Sequence, residues 1–204
     1  MSAQDQNVLM GVLKWIVEVD VPAITASVES LKNSYPNLTK EKLAKKIFSR
    51  TQWKCAASGF VTGLPANFAT MIPTAIGDVA LTIRLEVIAT AKVAIIYNPE
   101  FFNDEDASWE LLVPVFGINA VSQIIQDTAI KGGQGLTRSV IKKYLSKETL
   151  KQFKKIMLKY FGLKVTQKGI ITKTIPIIGG VIGGVWNWIE VHFLRKRVIK
   201  YFKD

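Results

Sequence analysis

Apolar residues recur at three- and four-residue spacing along nearly the whole chain, the signature of helices with one buried face. Strand-like alternation broken by turn residues at every 8–12 positions, roughly the rhythm of an all-β fold, is absent. Val8, Leu9, Val12, Leu13, Ile16, Val19 and Ile24 predict a first long amphipathic helix, bent near Pro22. Ser34-Tyr-Pro36-Asn predicts a turn. Thr39 is placed as an N-cap, with Glu41 in the first turn and Leu43, Ile47 and Phe48 on one face, and the helix runs on towards Trp53 and Ala57. Gly63-Leu-Pro65 forces a corner. The most apolar long helix follows, from about Phe68 to Tyr97, with Pro73 near its true start, where proline is tolerated. Asn98-Pro99 ends it. Residues 100–110 read as an acidic loop, and 111–130 as helical again through Val115, Ile118, Val121, Ile124 and Ile125.

Gly132-Gly133-Gln-Gly135 makes a break, after which Thr137 to Phe161 is amphipathic and basic. Ser146 reads as an internal N-cap, so this stretch predicts two short helices. Leu145-Ser-Lys-Glu-Thr-Leu150 echoes Leu38-Thr-Lys-Glu-Lys-Leu43, the same capping solution used twice. A last helix is expected from near Pro176 to about Phe202, roughly 40 Å long. The fold class is therefore all-α, a single bundle of six to eight helices closed by a long glycine-rich C-terminal helix.

Charge changes the picture. Residues 1–130 hold 10 Lys/Arg against 13 Asp/Glu, whereas residues 131–204 hold 17 against 3, within a net charge of +11. A segment of one sign concentrates partners of the other: lipid headgroups, nucleic acid or an acidic protein. Apolar residues make up 49% of the chain and mean hydropathy is +0.21, far from a disordered composition. Residues 55–77 carry no charge over 23 positions, long enough to cross a bilayer, but three glycines and two prolines interrupt them. Buried core helices able to insert fit better than a straight span. The polar start, Met-Ser-Ala-Gln-Asp-Gln-Asn, lacks the basic and apolar regions of a secretory signal. The expectation is a cytoplasmic protein peripherally associated with a membrane.

Three constellations are candidates for function. Asp78, Arg84, Glu86 and Lys92 are ionisable groups in an otherwise apolar helix. Asp78 and Glu86 lie about 80° apart round the helical wheel and Asp78 and Lys92 about 40°, while Arg84 points elsewhere, towards another helix. Buried charge is costly unless paired, which leaves two readings: ion pairs that fix helix packing, or a polar cavity where a carboxylate and a base converge. Gly179/Gly183 and Gly180/Gly184 are overlapping small-residue pairs four apart, allowing a second helix to approach closely in or out of a membrane. No Gly-Lys-Ser/Thr follows them, so they make no phosphate loop. The third is the basic arm, Arg138, Lys142, Lys143, Lys147, Lys151, Lys154, Lys155, Lys159, Lys164 and Lys168, with Glu148 the only acid from 131 to 168. Tyr144, Phe153, Met157, Tyr160 and Phe161 lie between the lysines, and Arg195, Lys196 and Arg197 with Lys200 and Lys203 add a second cluster. An apolar face flanked by lysines describes a helix lying on an anionic bilayer. Nucleic acid is disfavoured, because lysine outnumbers arginine and no helix-turn-helix or stacking platform accompanies it. A solvated lysine face over a packed stripe stays open.

Enzyme chemistry has few parts to work with. His192 is the only histidine and Cys55 the only cysteine, and there is no His-x-x-x-His, Cys-x-x-Cys or Gly-x-Ser-x-Gly. No catalytic residue, cofactor or metal site is expected.

Ala57-Ser-Gly-Phe-Val-Thr-Gly-Leu-Pro65, the proline-led Ile72-Pro-Thr-Ala-Ile-Gly-Asp-Val-Ala with Arg84, Ile88-Ala, Ile96-Tyr97, and Ile175-Pro-Ile-Ile-Gly-Gly-Val-Ile-Gly-Gly184 with its basic tail together resemble the EcsC family. The layout is also similar to helical membrane-associated domains of bacterial dynamin-like and Era-like GTPases, although no GTPase domain is present. The resemblance covers residues 40–204, leaving 1–39 as an N-terminal helix and turn. The acidic loop and 111–135 depart from it. It implies an all-helical, cytosolic or membrane-associated protein tied to secretion or membrane stress, and it carries over no active site. The leading expectation is a non-enzymatic domain that binds an anionic membrane or a membrane-bound partner. The alternatives are an enzyme or ligand carrier using a polar cavity near Asp78, Arg84 and Glu86, or a toxin-like protein that inserts residues 55–77.

Overall fold

The computed structural model describes residues 3–62, 71–104, 106–117, 153–155, 157–159, 161–162 and 179–203. The chain is all-α, and no strand occurs among the described residues. The expected first helix is two helices, α1 (Ala3–Val17) and α2 (Val21–Ser34). The break has a local cause. Pro22 has no N–H to give to a continuing helix and its ring would meet the carbonyl one turn back, yet it is tolerated in the first turn of a new one. Asp20 starts that new helix. Its backbone is extended, and its side chain accepts from the Ala23 N–H at 2.9 Å. Leu9, Leu13, Ile16 and Val17 of α1 and Ile24, Val28 and Leu31 of α2 are buried.

α3 (Lys40–Thr62) begins where expected: Thr39 Oγ1 accepts from the Lys42 N–H at 3.3 Å. Leu43, Ala44, Ile47, Phe48 and Cys55 form its buried stripe. α4 (Met71–Tyr97) puts Pro73 in its first turn and is the centre of the bundle. It touches α1, α2, α3, the short helix at Leu112–Phe116 and the C-terminal helix. Val79, Ala80, Ile83, Val87, Ala89, Ala91 and Val93 to Ile96 are all buried. A helix surrounded on most sides must be apolar on most sides, which is why its sequence lacks a clean polar face.

The acidic stretch after α4 is more structured than the loop expected. A 3-10 turn (Phe101–Asn103) leads to α5 (Ala107–Glu110) and α6 (Leu112–Phe116). The acids masked an apolar set: Phe101, Ala107, Trp109 and Leu111 to Val115 are buried, and the Tyr201 hydroxyl donates to buried Glu110 Oε1 at 3.1 Å. Gly117 ends α6 at φ 93°, a backbone region costly for any residue with a Cβ. Further on, Phe153, Met157, Leu158 and Phe161 are buried.

The C-terminal helix, α7 (Gly179–Lys203), lies antiparallel to α3. Two contacts fix the register: Lys203 Nζ is 3.8 Å from Glu41 Oε2, and at the other end Gln52 Nε2 donates to the Trp188 carbonyl at 3.2 Å. Val191, Leu194, Val198, Tyr201 and Phe202 face the core. α3, α4 and α7 thus pack against one another in pairs. Among the described residues, no helix is long and apolar enough to cross a membrane.

Candidate functional site

Arg84 and Glu86 do not converge. Two residues apart on α4, they are separated by about 160° round the axis. Arg84 turns out to α1, where its guanidinium lies 4.3 Å from the centroid of the Trp15 ring and Nη1 donates to the Trp15 carbonyl. The expectation that Arg84 reaches another helix is met, by an aromatic ring and a carbonyl. Glu86 is buried in a polar row with Thr82 and Thr90, four residues to either side. Asp78 is in α4, but its side chain lies outside the described residues.

The basic candidates divide. Lys142, Lys143, Lys147 and Lys151 lie outside the described residues. Lys154 is partly buried with Nζ 4.5 Å from the Trp109 ring centroid, and Arg197 Nη2 donates to the Val115 carbonyl at 3.2 Å. Those two serve internal packing. Arg195 is partly buried beside His192, Nη2 to Nδ1 3.4 Å. Lys155, Lys159 and Lys196 are exposed. Gly179, Gly180, Gly183 and Gly184 form the first two turns of α7, and what packs on them lies outside the described residues.

What the charge count by thirds conceals is α3. It carries six basic residues (Lys40, Lys42, Lys45, Lys46, Arg50, Lys54) and one acid, Glu41. α7 carries five (Arg195, Lys196, Arg197, Lys200, Lys203) and one acid, Glu190. Antiparallel pairing therefore sets eleven cations against two carboxylates on adjacent helices. Glu41 is engaged by Lys45 at 2.7 Å.

Apolar side chains interrupt this basic surface. Trp53 is 67% exposed in the middle of the α3 lysine stripe, and its ring stands edge-on to Trp188 of α7 at 4.9 Å. On α7, Ile189 and Phe193 are 46% and 57% exposed. Lys196, Lys200 and Lys203 continue the same solvent face, all five within an arc of about 80°. Sequence reading placed Trp53 only as a continuation of its helix. The available signal was a tryptophan at the spacing of Lys42, Lys45, Lys46, Ser49 and Arg50, the polar face of α3.

A cavity of about 150 Å³ opens between α2, α3 and α4. Leu85, Ile88, Ala89 and Lys92 are its α4 lining, and neither Arg84 nor Glu86 lines it. Burial, with Lys54 and Arg50 close by, pushes the Lys92 ammonium below the ordinary lysine range. No family model matches the chain, and neither a curated protein nor a solved structure does.

Proposed function

We propose that the protein is a non-enzymatic helical domain that associates peripherally with anionic membranes through the joint face of α3 and α7. The supporting observation is the antiparallel pairing that sets exposed Lys42 and Lys45 of α3 and exposed Lys196, Lys200 and Lys203 of α7 on adjacent helices with exposed Trp53, Ile189 and Phe193. Lysines supply long-range attraction to anionic headgroups, each about 1 kcal/mol near a charged surface. Tryptophan and phenylalanine favour the depth where an apolar body meets water, so they turn a diffuse attraction into a defined seating. The EcsC-like reading, and with it a link to secretion or membrane stress, belongs to the same proposal and draws on the helical class alone. A catalytic or carrier cavity near Asp78, Arg84 and Glu86 has less support, because Arg84 turns out to Trp15 while Glu86 is buried.

Sedimentation with phosphatidylcholine vesicles, with and without phosphatidylserine, tests the proposal. Binding should require phosphatidylserine and weaken as salt rises. Equal binding to both vesicles, or none at low salt, would sink it.

A further inference from the structure

Three cationic side chains from two helices converge on the cavity between α2, α3 and α4. Arg50 and Lys54 lie one turn apart on α3, and Lys92 comes from α4. Among the described residues no carboxylate lines it. Arg50 and Lys54 are exposed at the mouth of the cavity and Lys92 is partly buried within it, so their mutual repulsion falls mainly on Lys92 and an entering anion relieves it. The polar inventory agrees. Lys92 Nζ donates to Ser27 Oγ at 2.7 Å, which leaves the Ser27 hydroxyl proton free for a further acceptor and two ammonium protons unused by that bond. Thr51 contributes only acceptor capacity, since its hydroxyl already donates to the Ile47 carbonyl at 3.1 Å. The rest of the lining is apolar: Val28, Leu31, Ile47, Leu85, Ile88 and Ala89. A space of 150 Å³ is about the size that takes a benzene-sized molecule.

We propose that this cavity binds a phosphate monoester with a short apolar substituent. Arg50, Lys54, Lys92 and Ser27 hold the phosphoryl oxygens, and the leucine and isoleucine wall takes the first carbons of the substituent. A phosphoryl group is preferred to a carboxylate because three cations and a hydroxyl outnumber what two oxygens on a single charge can use, whereas a dianion with three terminal oxygens engages them all. No residue of α7 lines the cavity, and Arg50, Lys54 and Lys92 are not among the exposed lysines of the membrane proposal, so the two sites can be tested separately.

The source of the phosphoryl group, lipid headgroup or soluble metabolite, is separated by experiment. Calorimetry of the full chain should show saturable one-to-one binding of hexyl phosphate, weaker binding of inorganic phosphate, which leaves the apolar wall unused, and weaker binding still of hexanoate. Lys92→Met and Arg50→Gln should each weaken hexyl phosphate by about tenfold or more, with an unchanged circular dichroism spectrum. For a lipid headgroup, hexyl phosphate displaces the protein from phosphatidic acid vesicles, and Lys92→Met removes any preference for phosphatidic acid over phosphatidylserine. For a soluble monoester, vesicle binding ignores both. No saturable binding of hexyl phosphate, or equal binding by wild type and Lys92→Met, overturns the proposal. Failure to bind phosphatidylserine vesicles overturns the membrane reading and leaves this site standing.

Discussion

Trp53 and Trp188 meet edge to face across the seam of α3 and α7, centroids 4.9 Å apart and planes at 76°, yet Trp53 leaves two thirds of its surface in water. A ring anchored at one edge and wet over most of its area is positioned to do something beyond packing. Trp53→Ala should lower stability by only about 1 kcal/mol, the scale of an edge-to-face pair, in urea denaturation. Binding to phosphatidylserine vesicles should fall much further, and Trp53→Phe should recover most of it. A vesicle affinity unchanged by Trp53→Ala would remove Trp53 from the membrane face.

How much of this was legible beforehand depends on whether the cause was local. The Thr39 cap, the Pro73 start and the buried stripe Leu43, Ala44, Ile47, Phe48 are written within a few residues, and periodicity finds them. Pro22 alone predicts a bend, and the Asp20 cap beside it makes that bend a true break. The acids of residues 100–110 predict an exposed loop, but charge density is no measure of exposure where Phe101, Trp109 and Leu111 lie among them and are buried. The α3–α7 face was not legible, since no local pattern says that residue 52 lies beside residue 188. Charge summed along the chain places the basic field in the last third, whereas Lys42 and Lys45 of the assembled surface come from α3.

The Asp20 cap gives a sharp local test. Asp20→Ala removes the acceptor for the Ala23 N–H and should cost about 1 kcal/mol. Asp20→Asn keeps an oxygen in place and should cost much less. Thermal denaturation of the two variants against the wild type distinguishes them, and equal losses would mean that the capping bond is not the reason for the break.

Gly117 and Arg197 are coupled in a way that a double-mutant cycle can read. A Cβ on Gly117 would stand 3.0 Å from Arg197 Nη1, and the backbone is at φ 93°. Gly117→Ala should therefore cost about 1–3 kcal/mol. Arg197→Ala should also destabilise, because the Val115 carbonyl loses its guanidinium donor. The double variant should lose less than the two added together, since deleting Arg197 relieves the crowding while the backbone strain remains. Full additivity would show that the crowding contributes nothing.

Lys92 makes stability depend on alkaline pH in a direction fixed by its environment. Burial, then Lys54 and Arg50, lower its affinity for a proton in the folded state. Between that lowered value and the ordinary lysine range the unfolded chain holds a proton that the folded chain has released. Stability therefore rises with pH across this window. Below the window the penalty for charging Lys92 is fully present; above it the penalty is gone. Tyr97, raised by burial, and Tyr35, lowered by Lys46, also titrate in the alkaline range, so the quantity to follow is the difference between wild type and Lys92→Met. In urea denaturation at successive pH values, Lys92→Met should be the more stable protein at neutral pH, with its advantage shrinking as pH rises. Saturating hexyl phosphate should reverse the neutral-pH order, because the dianion favours the charged ammonium and binds only the folded chain. A Lys92→Met variant that is less stable than wild type at neutral pH without ligand would mean that the bond to Ser27 outweighs the charge cluster.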